Sequence, residues 1–330
     1  MKITALEEHL MTPGIVDAWR DAPGAERDNY VGNNTRGVLG ERLHDLGQRR
    51  IDDMDAQGVD VQVLSVTTPG VQNLTAEQAV PLAREANDAV AAAVAQFPDR
   101  LEGFATLPTP DPEESAAELR RTVTELGFMG AMLNGRTGSK NIDHADYEPM
   151  WKVASDLRAP IYLHPQLPVN EVRDAYYSGY DFRTSYVFGG PVIGWHYETG
   201  VQVIRMILGG VFDRHPGLQV ILGHWGEAVL FFTERIAHVT EWTDPGLKKP
   251  VIDYFRENVS YTGSGDLSDR YLAWTKEVVG ADRMMYATDY PFIDTSGGKA
   301  RSFLESADLT EAEKVAVGSG NWEKLTAHLR

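Results

Sequence analysis

The side chains with the most chemical reach in this sequence are imidazoles and carboxylates that close short apolar runs. Glu7 and His9 end ITALEEH (3–9), His164 falls near the end of PIYLHP (160–165), His224 ends LQVILGH (218–224), and Asp289 is the penultimate residue of RMMYATDY (283–290). A spacing of two puts Glu7 and His9 on one face of a strand, and Glu8 between them faces the other way. One such residue at a strand end is usually a hydrogen-bonded structural group. Five around one rim would make a metal centre. With no cysteine in the chain, a set of imidazoles and carboxylates suits Zn²⁺ or Mn²⁺.

The remaining ionisable residues divide by position. His44, His144, His215, His238 and His328 sit in helical or loop segments away from strand ends and read as surface or packing residues. His196, beside Trp195 near a helix start, belongs clearly to neither group. Glu227, three residues past His224, either enters the site from its loop or caps the next helix as an early-turn acid. Arg235, two turns into that helix, is either solvated or aimed at an anionic substrate.

Those residues need a frame. Eight short apolar or β-branched runs recur at 3–9, 59–66, 101–108, 128–135, 160–165, 218–224, 258–265 and 283–290. Between them lie stretches of helical period, including 75–97, 111–126, 198–216, 226–242 and 309–329. Strict alternation implies a parallel sheet covered by helices. Eight units favour a closed (β/α)8 TIM barrel of the α/β class, in one domain spanning 1–330, over a doubly wound sheet. A G-x-G-x-x-G loop after the first strand is also missing. Residues 10–50 and 166–195 are long excursions near the active-site face of such a barrel. The second carries Tyr176, Tyr177, Tyr180, Phe182, Tyr186, Phe188 and Trp195. It reads either as a satellite core or subunit interface, or as a wall that keeps water from an apolar substrate.

Composition narrows the function further. There are 31 Lys and Arg against 48 Asp and Glu, a formal net charge of −17, with no basic cluster. Nucleic acid is therefore not an expected partner. No apolar run is long enough to span a membrane, and MKITALEEHL lacks the apolar stretch of a signal peptide. A cytoplasmic protein is expected.

Several motifs together resemble the amidohydrolase-related metal-dependent decarboxylases that act on γ-resorcylate and 2,3-dihydroxybenzoate. They are ALEEH (5–9), FATLPTPDP (104–112), GFMGAMLNG (127–135), YLHP (162–165), the long segment 198–227 ending in GHWGE, and YATDYPF (286–292). The resemblance runs from the first strand to the last helix. It implies a distorted barrel with one divalent ion, Zn²⁺ or Mn²⁺, and no organic cofactor. It assigns Glu7, His9, His164 and Asp289 as metal ligands, and His224 and Glu227 as a catalytic pair beside them. Arg235 becomes a substrate-contacting residue and Asn134 a pocket residue. A homodimer or homotetramer is implied as well. Ala237, Tyr290 and the Tyr-rich 166–195 segment depart from the family pattern and bear on the substrate.

The expected reaction is non-oxidative decarboxylation of a small aromatic carboxylic acid with an ortho-hydroxyl, in which Asp289 protonates the ring carbon before CO2 leaves. The alternative on the same site is a hydrolase or hydratase acting on a lactone or enolic acid. A binding protein without turnover is disfavoured, because a closed structural site needs four ligands and no further acid–base groups.

Overall fold

Apart from Leu10, the residues of the core strands fall within the eight apolar runs, and two strands, Ala131–Asn134 and Val220–Leu222, stop where a glycine follows. The computed structural model describes residues 1–22, 28 and 30–330, so the stretch before Asp28 in the 10–50 excursion lies partly outside the described residues. The strands are β1 (Thr4–Leu10), β2 (Val61–Val66), β3 (Leu101–Gly103), β4 (Ala105–Thr106), β5 (Ala131–Asn134), β6 (Ile161–His164), β7 (Val220–Leu222) and β8 (Val259–Tyr261). All pair in parallel, in the orders β1-β2-β3 and β4-β5-β6-β7-β8. Only Phe104 separates β3 from β4, and its amide bonds Leu64 of β2, so the two form one stave. Residues 284–290 supply the eighth. They bridge Tyr261 through Met284 on one side, and Ala5 and Glu8 through Tyr286 and Tyr290 on the other. The ring is closed, as the alternation of the sequence predicts.

Two apolar layers result. Leu6, Val63, Phe104, Met132, Tyr162, Ile221 and Met285 pack inside the barrel, and Trp322 joins them. Leu64, Leu133, Leu163 and Leu222 instead join the layer beneath the helices, with Val90, Leu119, Trp151 and Met206. The period of two thus places Tyr162 and His164 on the inner face and Leu163 on the outer one. On β1 the register slips between Ala5 and Glu8. This bulge lets Leu6 fill the interior while the next residue, Glu7, also turns inward.

Helices cover the ring. Ala76–Gln96 opens with a capping box made by Thr75 and Gln78, and Pro112–Thr124 is capped by Asp111. Three boundaries differ from the sequence expectation. The 198–216 segment begins earlier, as Gly194–Leu208, and breaks at Gly210 before Val211–Arg214. The 226–242 helix starts only at Val229, because residues 224–228 take left-handed backbone. The C-terminal helix splits into Glu311–Val315 and Asn321–Thr326 around a wide turn. The two excursions are largely helical rather than open loops. Residues 10–50 hold Pro13–Asp21, Tyr30–Asn34 and Gly37–His44, and 166–195 holds Phe182–Val187 with two wide turns. Among the described residues no helix is long and apolar enough to cross a membrane.

Candidate metal centre

The inward-facing ends of β1, β6 and the eighth stave meet at one point. His164 Nε2 lies 3.1 Å from Glu7 Oε1, His9 Nε2 lies 3.8 Å from the same oxygen and 3.5 Å from Asp289 Oδ1. Donors about 2.1 Å from a shared ion stand roughly 3–3.5 Å apart, so these spacings fit one divalent cation. Glu7 Oε1 and His9 Nε2 are buried without any hydrogen-bond partner, which a native interior rarely tolerates unless something else satisfies them. His164 Nδ1 is 2.7 Å from the Pro165 carbonyl. A carbonyl only accepts, so Nδ1 carries the proton and Nε2 presents its lone pair to the centre. The other oxygen of Glu7 accepts from the Tyr162 hydroxyl and from Ser264, which fixes the carboxylate plane.

Charge in the metal-free chain shows what the centre demands. Burial raises the Glu7 carboxyl, but His224, His164 and His9 outweigh it and hold the group well below its usual range. His9 is pushed up to about 9, because Asp289 and Glu7 outweigh its burial. Protons on imidazole therefore stand where a cation's charge would be. Burial raises Asp289; His9, 3.5 Å away, opposes this and the nearby Glu7 adds to it. Asp289 has φ 55° and opens onto a cavity of about 750 Å³.

His224 and Glu227 come from a strained segment after β7. His224, Trp225, Glu227 and Ala228 all have positive φ, as does Gly226, a conformation that disfavours side chains by roughly 1–2 kcal/mol per residue. The segment is held by the Trp225 amide on the Thr262 carbonyl, 2.8 Å, and the Trp225 indole on the Asp266 carbonyl, 2.8 Å. Gly223 admits it: a Cβ there would sit 2.5 Å from Ser264 Oγ and 3.0 Å from Glu7 Oε2. His224 Nδ1 pairs with Glu227 Oε1 at 2.7 Å, leaving Nε2 4.0 Å from Glu7 Oε1. His224 is pushed up to about 10, since Glu227 and Glu7 outweigh its burial.

His196 completes this side. Its Nδ1 donates to the second Glu227 oxygen, also at 2.7 Å, so one buried carboxylate bridges two imidazoles whose centroids are 4.7 Å apart. Both histidines and Trp195 line the cavity. Sequence spacing gave His196 no role; its position in the first turn of Gly194–Leu208 is the signal that places it.

The other expected residues fall as follows. Asn134 ends β5 opposite His164 in register, buried, with Oδ1 unpartnered. Glu8 points away and bonds Gln62 and Thr288. His44, His144, His238 and His328 are exposed, and His215 pairs with Glu148. Arg235 is exposed on Val229–Thr240 and is not part of the cavity wall. Of the seven aromatics named in the 166–195 excursion only Trp195 lines the cavity, beside Pro191, Val192 and Ile193, while Tyr176, Tyr180 and Phe182 are exposed at the surface.

A closed parallel barrel with a Glu-x-His pair, a third histidine and an aspartate on its rim defines a class, and the chain belongs to it: it is a member of the amidohydrolase family, matching over residues 19–325. It is 36% identical over 333 residues to the γ-resorcylate decarboxylase of Rhodococcus jostii (strain RHA1), covering 96% of each chain. A solved dihydroxybenzoic acid decarboxylase of Polaromonas sp. JS666, with bound manganese and the inhibitor 2-nitroresorcinol, aligns with TM-score 0.86 at 34% identity, over 100% of this chain and 98% of that one. The 5-carboxyvanillate decarboxylase of Sphingomonas paucimobilis aligns with TM-score 0.89 at 33% identity, over 99% of each.

Proposed function

We propose that the chain is a metal-dependent, non-oxidative decarboxylase of a small ortho-hydroxyaryl carboxylic acid. The observation that carries this is full-length similarity to decarboxylases of such acids, in a chain whose convergent Glu7, His9, His164 and Asp289 donors suit a divalent ion. Zn²⁺ is the ion we assign, from the borderline nitrogen–oxygen donor set; Mn²⁺ is the ion in the Polaromonas relative. When bound, the ion supplies positive charge that gathers the substrate's carboxylate and neighbouring hydroxyl oxygen and orients the ring.

The protein's own groups do the rest. Asp289 delivers a proton to the ring carbon that bears the carboxylate, and burial, which raises its carboxyl, favours the protonated form. The carbon–carboxylate bond then breaks, its electron pair restores the aromatic ring, and CO2 departs. Protonation first avoids a free aryl carbanion. His224, held protonated by Glu227 and Glu7, donates to the oxygen of the ortho-hydroxyl, and Glu227 fixes the orientation of its ring. The free Oδ1 of Asn134 accepts from a substrate hydroxyl. The apolar cavity wall excludes water that would compete for the ion. Arg235 has no task within one protomer in this scheme, and a homodimer or homotetramer is the assembly we assign from the family resemblance.

Turnover in D2O by the metal-loaded protein tests the assignment. CO2 release from 2,6-dihydroxybenzoate, with deuterium at the vacated ring position, is expected. Uptake of ¹⁸O from water into a hydrolysed product, with no CO2 from any ortho-hydroxyaryl acid, would replace it with the hydrolase assignment.

A further inference from the structure

The cavity above the metal centre has two unlike ends. Asp289, His224, His196 and Ser264 line it beside the metal centre; the apolar lining is Leu230, Phe231, Leu267, Tyr271, Trp274 and Ile293, of which Phe231, Tyr271 and Ile293 are exposed and mark the outer end. Phe231 and Trp274 meet edge to face, with centroids 5.0 Å apart. At about 750 Å³, the space lies well inside the range of pockets that hold drug-sized ligands. A single hydroxybenzoate ring anchored at the ion leaves the outer chamber unfilled.

Charge decides what fills it. Among the described residues lining the cavity there is no Lys or Arg, and the two carboxylates that line it are Asp289 and Asp266. The chain as a whole carries −17. A second carboxylate on the substrate would enter an apolar, acid-bordered chamber with no cationic partner from this protomer, which is costly. An aryl or alkyl group would displace water from Phe231, Tyr271 and Trp274 instead.

Resting on the decarboxylase assignment, we infer that this outer chamber is an apolar-substituent subsite, and that the substrate is an ortho-hydroxyaryl monocarboxylate bearing an aryl or alkyl group on the ring edge opposite the carboxylate. Such a subsite disfavours a substrate that, like 5-carboxyvanillate, carries two carboxylates. Trp274 and Phe231 are its specificity-determining side chains.

The test compares kcat/KM of the full-length, metal-loaded protein on 2,6-dihydroxybenzoate, its 4-phenyl derivative and its 4-carboxy derivative. The 4-phenyl acid should exceed the parent about ten- to a hundredfold, the range for burying one more phenyl ring, and the 4-carboxy acid should fall below it. Trp274→Ser and Phe231→Ser should each shrink the phenyl-to-parent ratio to a few fold, with circular dichroism melting confirming the fold. A parent acid turned over as well as the phenyl acid by the wild type overturns the subsite and leaves the decarboxylase assignment standing. So does a ratio unmoved by both variants. If no acid releases CO2, the decarboxylase assignment fails and binding decides: calorimetry should show 5-phenylresorcinol bound at least tenfold tighter than resorcinol, and equal affinities overturn the subsite.

Discussion

Tyr162→Phe removes one hydroxyl from beneath the metal centre and changes little else. That hydroxyl donates to Glu7 Oε2 and lies 2.6 Å from Thr262 Oγ1. Burial and the Glu7 carboxylate push the phenol well above its ordinary value, so it remains a donor at any working pH. Without it, Glu7 Oε2 keeps only Ser264. A hydrogen bond to a buried charged acceptor contributes about 1.5–3 kcal/mol, and 1.4 kcal/mol is tenfold. Metal affinity should therefore fall about ten- to a hundredfold, as is usual when a group that orients a ligand is lost. Competition with a chromophoric chelator at fixed pH measures this directly. Tyr261→Phe is the control: its buried hydroxyl donates to the Phe255 carbonyl at 2.9 Å, away from Glu7. It should cost about 1 kcal/mol of stability and leave metal affinity alone. Wild-type metal affinity in Tyr162→Phe, or equal losses in both variants, would refute the idea that Glu7 is held in place through its second oxygen.

His164→Ala should lower metal content by elemental analysis and activity together, whereas His144→Ala, at an exposed residue, should change neither. Asp289→Asn should abolish CO2 release, because an amide cannot supply the ring proton; metal content measured on the same sample separates this from loss of the ion. His196→Phe should slow turnover and reshape its pH profile, because Glu227 loses one of two donors; His196→Gln, which can still donate, should restore most of it. Because His9 in the metal-free chain is pushed up to about 9, the ion must displace its proton. Chelator titrations should show affinity rising about tenfold per pH unit below pH 9 and levelling above. The same raised value stabilises the metal-free chain fully below its ordinary 6.5 and is lost as pH rises through about 9, visible as a falling Tm.

The barrel was legible because each stave announces itself twice, by an apolar run and by the helical period that follows. Glu7, His9 and His164 were legible for a related reason: alternation along a strand assigns faces, so a histidine two residues past an inward Tyr162 must itself point inward. The same rule could have marked Tyr162 as a neighbour of the site, although no spacing reveals that its hydroxyl meets Glu7 across the barrel, 155 residues away. His196 was harder. Its partner Glu227 lies 31 residues on, and a helix start carries no face until its register is known. Arg235 shows the opposite limit, since its motif assigns it to the substrate while its helix turns it to solvent.

What stayed hidden was backbone rather than residue choice. His224, Trp225, Glu227 and Ala228, then Ser264, then Asp289 all take left-handed backbone, a region that Trp, Glu, Ala and Ser rarely enter. Sequence patterns report what a residue prefers locally, so they fail where tertiary contacts override that preference. Here the overriding contacts can be named. Trp225 is fixed at both its amide and its indole, Ser264 donates to Glu7, and the His224 amide bonds Ser264 Oγ at 2.8 Å. The strain bears on three consecutive stave ends, β7, β8 and the eighth, and each aims a polar group at the Glu7 carboxylate or at the space above it. A relaxed, right-handed turn after Gly223 would extend the helix to His224 and carry Glu227 away from both imidazoles. The backbone that is most difficult to read from sequence is thus the backbone that assembles the acid–base side of the centre and Asp289, while Glu7, His9 and His164 are carried by β1 and β6.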